Sequence, residues 1–232
     1  MKKNKITLSF ICLLLSNFAS AEFIECFSFN PLPGKHAQML SKMAEAAEIH
    51  EEYGALVNIA VLNVGGLGHQ TDYCLRWDNR VEWAKSKDAM RQSGKLTSWR
   101  EKALKYPSAT QVASIAGENI DPTVKAERFR ELHVYHVFVI KPAIGREAEA
   151  LARMQKMEEL YERYSTNEVE IYNDIAGGTG EIHVLTTNES WTAMIGTETP
   201  SQEAQDAWAK EMGPSDPTLF QVVKEFNGHT IR

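Results

Sequence analysis

Two histidines, His136 and His183, have the residue type and placement to do chemistry. Both fall in stretches that read as neighbouring strands, and an imidazole there can relay a proton or ligate a haem iron if both rings face one interior. The plainer alternative, two strand histidines satisfied by their neighbours, stays open at this level. None of the other histidines forms an H-E-x-x-H pair, so no zinc-protease chemistry is expected and no metal site is assigned. His50 lies on a helical stripe as a packed ring, whereas His36 and His69 sit at a helix start and a turn and are expected to be solvated. Cys26 and Cys74 are the second chemical pair. No Cys-x-x-Cys is present, so a structural disulfide is favoured over redox function, with two buried thiols as the alternative. The Gly-Gly-x-Gly runs at 65–68 and 177–180 resemble phosphate cradles but fall between two strands, where glycine supplies a hairpin turn. Met39, Met43, Met154 and Met157 have the spacing of a core stripe, not of a soft-metal site.

The elements that would position these residues come in duplicate. Phe27 to Lys35 aligns with Phe138 to Arg146 at an offset of 111, and the correspondence continues through Leu40/Leu151, Met43/Met154 and Tyr53/Tyr164. Gly65-Gly66-Leu67-Gly68 matches Gly177-Gly178-Thr179-Gly180, Trp83 matches Trp191, and Gln111-Val112-Ala113 matches Gln221-Val222-Val223. Each copy reads as β-α-β-β-α-β. Strands are expected at 23–30, 57–64, 70–77 and 110–116, then at 133–141, 168–175, 181–187 and 219–226. First helices are expected at 35–53 and 146–164. The second helix of each copy is broken, at Gly94 and at Pro200-Ser201. His136 and His183 then lie on the first and third strands of the second copy, in place of Glu25 and roughly Leu75. Cys26 and Cys74 lie on the corresponding strands of the first copy. A cross-strand bridge there would close a loop of about 48 residues and contribute about 3–4 kcal/mol.

Such a unit leaves one sheet face apolar, and the second copy on the same chain can cover it. The fold expected is α+β: two tandem ferredoxin-like repeats, 22–120 and 132–232, joined by a linker at 121–131 and paired sheet to sheet as an intramolecular barrel. The opening Phe27–Lys35 and Phe138–Arg146 motifs, the Gly-rich hairpins and Trp83/Trp191 resemble the dimeric α/β-barrel superfamily, most closely its NIPSNAP-like and antibiotic-biosynthesis-monooxygenase-like branches. That resemblance implies an interior cavity and a membership that spans cofactor-free monooxygenases, haem-handling proteins and members without known activity. It carries over no catalytic residue.

Composition sets the remaining bounds. The 232 residues carry a net charge of −6, with 43% apolar and 24% charged residues, an ordinary globular balance. Residues 1–21 have a lysine-rich start, an apolar run of about ten residues and Ala19-Ser20-Ala21, the pattern of a secretory signal and too short for an anchor. Its removal leaves 211 residues at charge −9. An exported, periplasmic or extracellular protein is expected, with neither nucleic acid nor membrane as partner. Its expected function is to bind a small apolar or aromatic ligand. A monooxygenase-like or haem-handling enzyme and a non-catalytic interaction scaffold are the alternatives. No cofactor is required, and haem is compatible.

Overall fold

A computed structural model describes residues 21–65, 70–131, 133–164, 168–198 and 201–232. Residues 1–20 of the expected signal, Gly66, Leu67 and Gly68 of the first Gly-rich run, His69 and Pro200 lie outside the described residues. The first copy runs β1 (Phe23–Pro31), α1 (His36–Glu52), β2 (Leu56–Val64), β3 (Thr71–Trp77), α2 (Arg80–Ser93), α3 (Lys95–Lys105) and β4 (Ala109–Asn119). After a 3-10 turn at Ala126–Phe129 the second repeats the order: β5 (Val134–Pro142), α4 (Glu147–Tyr164), β6 (Glu168–Ala176), β7 (Ile182–Asn188), α5 (Trp191–Glu198), α6 (Gln202–Met212) and β8 (Phe220–Thr230).

Local chemistry explains the breaks. Asn79 caps α2, its side-chain oxygen accepting the N–H groups of Val81 and Glu82, and Gly94 ends it in the left-handed region at φ 69°. Ser201 caps α6 through the N–H of Ala204.

The eight strands close into one antiparallel barrel in the order β1-β3-β2-β8-β5-β7-β6-β4. Each half keeps the ferredoxin-like order, and all neighbours are antiparallel, so β1 and β5 point the same way and half a turn about the barrel axis relates the copies. The fold is therefore the expected pair of tandem ferredoxin-like repeats closed on themselves. One difference concerns β4 and β8, which run three and four residues beyond the 110–116 and 219–226 expected. Those extra residues make the seams between copies: Gly117 to Asn119 pair with Asp174 to Tyr172, and Asn227 to Thr230 pair with Val64 to Ala60.

The glycine in the β8 tail, Gly228, is required by close approach, not by a turn. A Cβ on Gly228 would sit 2.4 Å from the Val61 carbonyl oxygen and 2.5 Å from the Tyr135 hydroxyl. The hairpin glycines have a similar role. Gly65 and Gly177, at φ 84° and 92°, lie so close to the other copy that a Cβ would fall 2.2 Å from the carbonyls of Glu225 and Ser114 respectively.

Alternation along each strand divides the side chains between two surfaces. Outward residues meet the helices: Phe23, Ile59, Tyr73, Leu75 and Trp77 pack on Met39 and Met43 of α1, and Ile140, Ile171 and Val184 pack on Met154 of α4. The methionines are core residues, as their spacing implies. His50 is buried in the first of these cores, its Nδ1 2.8 Å from both the Ala46 carbonyl and the Tyr73 hydroxyl. Burial holds its pKa down at about 4. No described helix is long and apolar enough to cross a membrane.

Candidate functional site

The inward residues surround a lumen of about 470 Å³. Its walls are mainly apolar, from Ile24, Ala60, Val137, Val139, Leu185 and Phe226, and the Cys26–Cys74 disulfide forms part of one side. These cysteines are directly opposite in the β1–β3 register, with Cα atoms 4.1 Å apart, as adjacent antiparallel strands allow. The expected bridge is therefore present, and it faces the lumen.

The linker closes one end. Asn58 donates to the Phe129 carbonyl at 2.8 Å, and the Ala126 N–H donates to Asp78 at 3.0 Å. Above Phe129 lies the Arg76 guanidinium, 3.7 Å from the ring centroid. Arg76 donates to Glu22, Tyr172 and Asn58 at 2.8, 2.9 and 2.9 Å. Burial pushes the Glu22 carboxyl up, against the pull of Arg76 and a Tyr172 hydrogen bond. Beside this cluster Glu170 is wholly buried, accepts from Asn119 at 2.6 Å and lies 2.9 Å from Arg128 of the linker. Its pKa is raised to about 7, burial outweighing the arginine.

At the other end, next to the Gly-rich hairpins, Ser28 donates to Asp72 at 2.6 Å and Gln70 donates to it at 3.4 Å. Burial raises the Asp72 carboxyl. Its counterpart under the offset of 111 is His183, so the two stand at equivalent places in the opposed halves. The His183 Nε2 is buried with no hydrogen-bond partner, and burial lowers its pKa despite nearby Asp174 and Glu181. Between the ends, the Tyr135 hydroxyl is also buried without a partner, in a residue only 7% exposed. Unpartnered polar atoms on an otherwise apolar cavity are the groups a ligand would satisfy.

The structure separates the histidine pair expected from sequence. His183 lines the lumen. His136 lies on the outer face, its ring 4.2 Å from Phe138 and its Nε2 3.0 Å from Glu225. The reason is parity: in the β5–β7 register His136 opposes Thr186 whereas His183 opposes Val139, so the two histidines take opposite faces. The copy-one partner of His183 is correspondingly Asp72, not Leu75. His36 is half-buried rather than solvated.

Of the two histidines expected as haem ligands only His183 reaches the lumen, whose mouth gathers Asp72, Asp174 and Glu181 beside Lys224, an acidic lining that disfavours propionates. Among the described residues no group of three or more His, Cys, Asp or Glu could hold a metal ion. Sequence reasoning missed Tyr135, Asp72 and the Glu22–Arg76–Tyr172 cluster. Applying the 111 offset strictly to His183 would have pointed to Asp72.

The chain is similar over nearly its whole length to several solved structures. An anthrone oxidase-like protein shares 14% identity at a TM-score of 0.54, covering 92% of this chain and 93% of that one. A putative chlorite dismutase shares 11% at 0.58, covering 91% and 95%. A putative monooxygenase from Fusobacterium nucleatum shares 9% at 0.56, covering 92% and 94%. At these identities the likeness is one of fold, and that fold is the dimeric α/β barrel. No family model matches the chain, and no curated protein is similar to it in sequence.

Proposed function

We propose that this protein is an exported binding protein whose barrel holds a small, largely apolar or aromatic molecule bearing at least one polar group. The observation that carries the reading is the lumen itself. Its volume of about 470 Å³ lies within the range of small-molecule sites, and its walls are apolar apart from a few convergent polar atoms. The Tyr135 hydroxyl and His183 Nε2, both unpartnered, are the groups that would orient the ligand. Export rests on the N-terminal pattern and agrees with the disulfide, which persists in oxidising compartments.

The test is binding of an apolar naphthalene-type fluorophore to the processed protein, with native mass spectrometry for any retained molecule. Wild type should bind saturably, Val137→Trp should abolish binding by filling the lumen, and Tyr135→Phe should weaken it. Equal fluorescence from wild type and a folded Val137→Trp protein would leave the barrel as packing alone, in line with a scaffold.

One observation favours chemistry in the same lumen. A neutral imidazole with an open Nε2 is suited to accept a proton from a bound ligand, and the lowered pKa keeps His183 neutral at physiological pH. Two structural neighbours are described as a putative monooxygenase and an anthrone oxidase-like protein. On this second reading His183 is the base, and turnover of a bound molecule would be lost in His183→Ala while binding persists.

A further inference from the structure

We infer that the Cys26–Cys74 bridge is a covalent site inside the lumen, where small thiols undergo thiol–disulfide exchange and protein thiols are shut out. Both cysteines line the lumen and are half-buried. Their outward neighbours Tyr73 and Leu75 are buried against α1, so the sulfurs are reached from the inside. The linker closes one end of the barrel through Phe129 and Ala126, and at the opposite end the described residues Asp72, Gly177, Gly178 and Glu181 line the lumen. A small molecule can enter a lumen of about 470 Å³, but a folded reductase cannot.

The second copy shows that a barrel wall of this kind needs no bridge. At the offset of 111, Val137 and Leu185 stand where Cys26 and Cys74 stand, and they oppose each other in the same register. The sulfur pair is an addition on one wall only. Ser28 and Asp72 flank it toward the mouth, and Ile24 and Arg76 toward the closed end. The Arg76 guanidinium, two residues from Cys74 on the same face, is the cation nearest in sequence to a departing Cys74 thiolate, and Asp72 on the other side opposes it.

The step balances with a low-molecular-weight thiol as co-reactant. Its thiolate attacks one cysteine sulfur, a new S–S bond forms to the small thiol, the Cys26–Cys74 bond breaks, and the other cysteine leaves as thiolate with the electron pair. A second thiolate then releases the small-molecule disulfide and leaves both cysteines reduced, or the free cysteine re-closes the bridge and expels the thiol.

The inference rests on the lumen reading for its entry route, but its test needs no ligand. Native, processed protein is treated at equal thiolate concentration with glutathione or with reduced thioredoxin, then quenched by alkylation and weighed intact. Glutathione should give a one-adduct or doubly alkylated species at least about tenfold faster than thioredoxin, and Val137→Trp should slow it by about as much. The double variant Cys26→Val/Cys74→Leu, which copies the second half, should take up no thiol. Equal rates for the two reductants, reaction of neither without denaturant, or no effect of Val137→Trp would each overturn the inference. If fluorophore binding fails while size selection holds, the ligand reading falls and the exchange site stands; the reverse pattern separates them the other way.

Discussion

Replacing Glu170 by glutamine tests how burial and charge are balanced at the closed end. The carboxyl is wholly buried, and its pKa rises from an ordinary 4.5 to about 7. Between those values the native state holds a proton that the unfolded chain has released. Stability from this group is therefore full below about pH 4.5, falls as pH rises, and has been lost above about pH 7. The span corresponds to about 3 kcal/mol. His50 has the opposite slope. Its folded pKa of about 4 lies below the ordinary 6.5, so its contribution is present above 6.5 and is lost as pH falls toward 4. The wild-type profile superposes both, and only a difference between proteins isolates Glu170. Glutamine keeps an oxygen for the Asn119 amide, and Arg128 retains Glu168 at 3.0 Å. Urea unfolding across pH 4.5 to 8 should find Glu170→Gln close to wild type at the acid end and about 3 kcal/mol more stable at the alkaline end. A stability difference that does not change with pH would refute the reasoning. A variant weaker at pH 8 would show that the Arg128 pair outweighs desolvation.

Arg76→Met leaves Glu22 buried without its cation and should cost about 3–5 kcal/mol in chemical denaturation, whereas an exposed pair such as Lys85–Glu82 should lose under about 1 kcal/mol when broken. Gly177→Ala meets the Ser114 carbonyl as well as a positive φ and should destabilise by at least about 3 kcal/mol. Gly54→Ala, with φ 88° and open space around it, should cost about 1–2 kcal/mol; comparable thermal shifts for the two would deny the close approach across the seam. Tyr135→Phe removes a buried hydroxyl that has no partner, so the unliganded protein should be unchanged or up to about 1 kcal/mol more stable, and a larger loss would reveal a hidden partner.

The strand and helix order of both copies was legible because duplication lets each half check the other, and capping residues such as Asn79 and Gly94 mark the helix ends. The bridge was legible because Cys26 and Cys74 fall on strands that this topology makes neighbours. The histidine pair was not, because facing depends on strand register, and one residue's difference in parity sends a side chain to the other surface. The ends of β4 and β8 also escaped, since Gly117 and Gly228 look like tail residues until the opposing carbonyls are in view. Buried charge was the least visible: nothing in the composition around Glu22, Arg76 or Glu170 distinguishes them from surface acids and bases, and only closure of the barrel places them together.

Covalent fusion of the two halves removes a constraint that a barrel of two identical chains must obey. With identical halves, every lumenal group would appear twice, related by the axis, and any ligand would have two indistinguishable orientations. Here Asp72 answers to His183, Arg76 to Thr187, and the sulfur pair to Val137 and Leu185. A molecule entering the lumen meets an acid on one wall and an imidazole on the other. A lumen of this kind would distinguish the two poses of an unsymmetrical guest, and each wall can change without its mirror position changing too.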